Sequence, residues 1–84
     1  MLINLYSIYD VKAQIYNNIW TANNDNVAIR NFTDLIDDPN SIIHKHHEDF
    51  ILYCLGIFDD QTGLIDDANF PLQVFDGKTY QFTD

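Results

Sequence analysis

The sequence predicts an α+β domain: a mainly antiparallel sheet with one amphipathic helix packed on it, in the order strand, helix, strand, hairpin. Three observations carry this. Residues 2–9, "LINLYSIY", and 50–58, "FILYCLGIF", are rich in Ile, Leu, Tyr and Phe, and the second holds no helix cap. Between them, Ala28, Ile29, Phe32, Leu35 and Ile36 recur at helical spacing. After them come two glycine-bearing turn signals, "DDQTG" and Asp76-Gly77. A run of strands around one helix, without regular β-α alternation, fits such a fold.

The first strand is closed by Asp10. It is apolar on both faces, with Ile3, Leu5 and Tyr9 on one and Leu2, Tyr6 and Ile8 on the other. Residues 11–20, "VKAQIYNNIW", read as irregular or a short helix. Ile15 with Ile19 and Tyr16 with Trp20 have i, i+4 spacing, against a poorly capped start and an Asn pair. The following helix is capped by Asn24 or Asp25 and stops near residue 37, because Asp38 precedes Pro39. In the second strand Phe50, Leu52, Cys54 and Phe58 share one face, and Ile51, Tyr53, Leu55 and Ile57 the other. Gly56 there marks a bulge or a close backbone approach. "DDQTG" turns the chain into "LIDD", and Asp76-Gly77 predicts a second hairpin between "LQVF" and "KTYQF".

The 84 residues form one small domain, 1–84, with no linker, repeat or low-complexity tract. Twelve aromatic residues supply core area that so short a chain needs. Two strands apolar on both faces, with one helix to cover them, leave apolar surface unaccounted for and predict a homodimer joined through the sheet. Cys54 is the only cysteine and sits within an apolar run, so it reads as a buried small hydrophobe. The first residues lack the basic and apolar regions of a signal peptide, and the longest apolar run, Phe50 to Phe58, is nine residues. The expectation is a protein of the cytoplasm with no membrane contact.

Thirteen acidic residues face four basic ones, for a net charge of −9; every acid but Glu48 is Asp. Aspartate favours turns and caps, which places much of this charge in loops. Lys12, Arg30, Lys45 and Lys78 are too few and too scattered to displace DNA counterions, so direct contact with DNA is not expected. A basic polypeptide is the complementary partner.

No enzyme signature is present: there is no Walker loop, GxGxxG or GxSxG. His44, His46 and His47, with Glu48 and Asp49, are ligand types for zinc or nickel. HExxH is absent, however, and a helical or extended run aligns only two of the histidines. The simpler reading is a polar loop whose acids cap the entry into the strand, with no metal or other cofactor. The pairs Asp37-Asp38, Asp59-Asp60 and Asp66-Asp67 could hold Mg²⁺, but an EF-hand loop around Gly63 would begin on Phe58 and fails. Turn chemistry accounts for all three pairs. The residues assigned to partner contact are Tyr16 and Trp20, flanked by Asn, together with Asp59, Asp60, Asp66 and Asp67.

"SIYD" near the start, "AIRNFTDLIDDPNS" in the middle and "KHHEDFILYCLGIFDDQTG" after it resemble, in that order, the small nonstructural protein of gokushoviruses, tailless single-stranded DNA phages of the Microviridae. The correspondence spans residues 6–63. The family often has proline where this chain has His47, so a metal role for the histidines gains nothing from it. The family is likened to the microvirus C protein. The resemblance therefore implies a non-enzymatic role in the switch from genome replication to single-strand synthesis and packaging, through binding to the replication initiation complex and making it accessible to procapsids. It implies no catalytic residue. Two other classes compete. An acidic inhibitor imitating DNA would bind a host nucleic-acid-binding protein and be toxic when expressed alone. A small metal-dependent enzyme would carry metal through purification.

Overall fold

The computed structural model describes residues 1–82, and its architecture is the α+β fold expected. Six strands form one sheet in which every pairing is antiparallel. Strands β1 (Leu2–Asp10) and β4 (Phe50–Asp59) lie at its centre, paired along their whole length. β2 (Ile15–Tyr16) and β3 (Trp20–Ala22) border β1, while β5 (Ile65–Asp66) and β6 (Leu72–Asp76) border β4.

Helix α1, Asp25–Asp37, keeps the boundaries its caps dictate. The Asn24 side chain accepts from the Val27 amide at 3.0 Å, filling one of the orphan donors of the first turn. Its apolar stripe lies on one face of the sheet, where Ala28, Phe32 and Ile36 are fully buried against Tyr6, Ile8, Phe50, Leu52 and Cys54. Cys54 is in this core, and burial pushes its thiol pKa up. The Tyr6 hydroxyl, inside the same layer, donates to Asp25 at 2.7 Å and accepts from the Asn4 amide at 3.0 Å, so its burial leaves no polar atom unpaired. A second short helix, α2 (Ile42–Lys45), contributes Ile43 to the core and leads through a 3₁₀ turn, His47–Asp49, into β4.

Three expectations are corrected. Of the two readings of residues 11–20 the short helix fails, while 11–14 and 17–19 are irregular: Asp10 accepts from the Lys12 and Ala13 amides, Gln14 takes φ 60°, and the chain returns as β2 and then β3. The i, i+4 pairs are coincidences of two short edge strands. Asp76-Gly77 does not make a hairpin. The Asp76 side chain instead accepts from the Lys78 amide and caps a 3₁₀ turn, Gly77–Thr79, after which no strand follows among the described residues. Gly77 serves packing: a Cβ there would lie 2.1 Å from the His47 carbonyl oxygen.

The third correction concerns β4. Leu5 pairs with Gly56 but Tyr6 with Cys54, so Leu55 is an extra residue, a β-bulge. Cross-strand partners share a face, hence Phe58, opposite Ile3, belongs to the face away from α1, and Ile57, opposite Asn4, to the helix side. The other readings of this region hold. Gly63 turns the chain with φ 78°, and Gly56 accepts the close approach of the Asp66 carbonyl, which would be 2.9 Å from a Cβ. The second face of the sheet, with Ile3, Leu5, Tyr9, Ile51, Tyr53 and Phe58, has no layer over it among the described residues.

Candidate functional site

Aspartates from both strands of one hairpin gather at one end of the sheet. Antiparallel pairing of β5 with β4 sets Asp66 opposite Ile57 and Ile65 opposite Phe58, which brings Asp66 and Asp67 to the end where Asp59 and Asp60 turn the chain. Turn chemistry places them, as expected. The Asp59 carboxylate accepts from the Gln61 amide at 2.9 Å and the Asp66 carboxylate from the Ala68 amide at 3.1 Å. Asp60 lies 2.8 Å from the Met1 amino group. Each carboxylate so engaged keeps acceptor capacity toward solvent.

Between these acids is an apolar groove of about 400 Å³, lined by Leu2, Ile57, Leu64 and Ile65 with Asp59, Thr62 and Asp66. Leu2, Leu64 and Ile65 are 69%, 70% and 57% exposed. Three apolar side chains thus stand in water beside the Asp59 and Asp66 carboxylates. Sequence reasoning missed Leu2, Leu64 and Ile65. The signal lay in "GLIDD", where two apolar residues stand beside an acidic pair in a strand too short to bury them.

Tyr16 and Trp20 occupy the other half of the molecule. The Trp20 indole N–H donates to Asn31 of α1 at 3.2 Å, and its ring centre is 6.2 Å from that of Tyr6. Tyr16 packs at 4.7 Å from Tyr9 and 5.7 Å from Tyr53 on the uncovered face. Desolvation, then the neighbouring Tyr53 and Tyr9, raise its pKa. Both residues border one groove, shared with Ile8, Asn17, Asn18, Leu35 and Ile43. Leu35, which the helical stripe assigned to the core, is exposed beside Trp20. The fold therefore joins Tyr16 to Trp20 and the four aspartates to one another, but not the two sets. Tyr16 pairs with Tyr9, and Asp59 with Leu2 seven residues away along β1, a separation of about 23 Å at the rise of a strand.

The histidines divide in a way the spacing did not predict. Nδ1 of His44 is 2.7 Å from the Ile36 carbonyl, and Nδ1 of His47 is 2.7 Å from that of Gly77. A carbonyl only accepts, so each Nδ1 carries its proton, His44 fastening the last turn of α1 and His47 the 3₁₀ turn at Gly77. His46, Glu48 and Asp49 form the set whose ligand atoms lie within 4.8 Å of one another. All three come from a single surface turn. Asp37 and Asp38 are likewise engaged, with the Tyr80 hydroxyl and the Asn40 amide.

Set beside known proteins, residues 3–80 match the profile of the Phage ORF5 protein family. The chain belongs to that family. Protein ORF5 of Chlamydia phage 1 is 39% identical over 62 residues, which are 69% of this chain and 65% of the relative. The matched part thus spans less than two thirds of that relative. No solved structure matches. The resemblance to small nonstructural proteins of gokushoviruses is borne out at the level of the family, and the protein is a phage protein. Among the described residues, no helix is long and apolar enough to cross a membrane.

Proposed function

We propose that this phage protein is a non-enzymatic accessory factor of the host bacterial cytoplasm. It acts at the switch from genome replication to single-stranded DNA synthesis and packaging, by binding the replication initiation complex and presenting it to procapsids. The observation that carries the reading is the apolar groove formed by Leu2, Leu64 and Ile65 with Asp59 and Asp66, each followed in sequence by a second aspartate, Asp60 and Asp67. It stands in a chain of net charge −9 in which, among the described residues, no Lys or Arg side chain is ion-paired with an acid. Carboxylates without a Lys or Arg partner draw a basic polypeptide in from a distance, and the apolar side chains beside them hold it once docked. The same field repels the phosphodiester backbone.

The test is affinity capture from infected cells with the wild-type chain and with a variant carrying Asp59→Asn, Asp60→Asn, Asp66→Asn and Asp67→Asn. The wild type is expected to retain a phage replication or capsid protein, more weakly as salt rises, and the variant to lose it. Capture of neither class overturns the proposal. Capture of a host nucleic-acid-binding protein, with toxicity on expression alone, favours the inhibitor.

A further inference from the structure

We propose that the uncovered face of the sheet binds a second copy of this chain, giving a two-fold dimer with the sheets stacked face to face. Ile65, opposite Phe58, borders both this face and the acid-rimmed groove; the rest of the face is separate, and the proposal stands independently of what that groove binds.

The first argument is chemical. Ile3, Leu5, Tyr9, Ile51, Tyr53 and Phe58 project from this face, joined by the Tyr9–Tyr16–Tyr53 cluster. Among the strand residues the register assigns to it, the only charged side chain is Asp76, at a corner opposite Ile51. Asp10, Asp59 and Asp66 pair with Phe50, Leu2 and Ile57 and so belong to the helix side. A basic partner would meet no carboxylate at the centre of this face and leave its own cations dry. A second copy brings an equally uncharged surface.

Size is the second. Four strands across and nine residues along β1 give a face of roughly 20 by 30 Å, on the order of 600 Å² per copy. That reaches the size of a specific interface, about 600–1,000 Å² per partner. Shape agrees: the radius of gyration is 13.3 Å, against about 12 Å for a compact chain of this length, and the thinnest extent is 20 Å. The single copy is elongated, 43 × 25 × 20 Å, and two layers deep, and stacking a second sheet at about 10 Å closes the exposed side into a core.

Sedimentation or light scattering of the full chain at micromolar concentration is expected to give twice its 9.8 kDa mass. Tyr53→Asp and, separately, Ile3→Asp should raise the dissociation constant at least 100-fold while the far-ultraviolet circular dichroism keeps its α+β form. Mixing isotope-labelled and unlabelled wild type should give filtered nuclear Overhauser peaks from the Tyr53 and Phe58 rings to the unlabelled copy, a readout that needs no variant. A single-chain mass across the micromolar range overturns the proposal. So does a dimer that survives either folded variant, or one whose intermolecular peaks lie elsewhere.

Discussion

Two tyrosines on neighbouring positions of the central pair have opposite fates. Tyr6, opposite Cys54, is fully buried beneath α1 with its hydroxyl on Asp25. Tyr53, opposite Ser7, lies on the reverse face, half-buried among Tyr9 and Tyr16 with no element above it. Residue type and β propensity are the same on both sides. What differs is whether another layer arrives, and a single amphipathic helix supplies one layer only. Apolar alternation therefore states how much surface seeks cover, and the number of covering elements states how much finds it inside one chain.

The contrast predicts a graded series of costs. Phe32→Ala removes a fully buried ring between helix and sheet, where the cavity cannot be filled by water; chemical denaturation should show a loss of about 3–5 kcal/mol. Gly77→Ala should cost about 1–3 kcal/mol, since the new methyl meets two carbonyl oxygens of the chain, those of His47 and Phe50, rather than a yielding side chain. Tyr6→Phe should cost about 1–2 kcal/mol by taking the partner from Asp25 and Asn4. At the low end, Ile65→Ser on the uncovered side should change the stability of a single copy by less than about 1 kcal/mol. If Phe32→Ala and Ile65→Ser cost the same, the distinction between the two faces fails.

Tyr6 also sharpens the comparison through pH. Burial first, and then its hydrogen bond to Asp25, hold its pKa well above the ordinary tyrosine value. The unfolded chain releases this proton near pH 10 while the folded chain retains it. The stability it contributes is therefore complete below about pH 10 and declines as pH rises further, toward the folded-state pKa. In denaturation curves between pH 9 and 11.5, Tyr6→Phe should flatten that decline, and an unchanged slope would show that another group governs it.

Helix α1 and strands β1 and β4 were legible because each signal was repeated: a five-residue stripe with a cap and Pro39, and two long apolar runs. The region 11–20 was not, because strands of two and three residues are too short to show a period. Asp76-Gly77 misled because an aspartate before glycine serves a 3₁₀ cap as well as a hairpin, and tertiary contact with His47 chose between them. The acids were readable as turn formers one by one. Their convergence required the β4–β5 pairing, and their distance from Tyr16 and Trp20 required the β1 register, neither of which is a local property.

The bulge at Leu55 reaches furthest. Upstream of it, even-numbered side chains of β4 point under the helix; downstream, odd-numbered ones do. Loss of that one codon would leave Gly56 opposite Leu5, Ile57 opposite Asn4 and Phe58 opposite Ile3, so the strand would flatten without turning any side chain to the other face. A deletion is absorbed here but not in β1, where each residue from Leu2 to Asp10 has its partner and one loss would turn half the strand over, so drift in such a lineage should spare the length of β1 more strictly than that of β4.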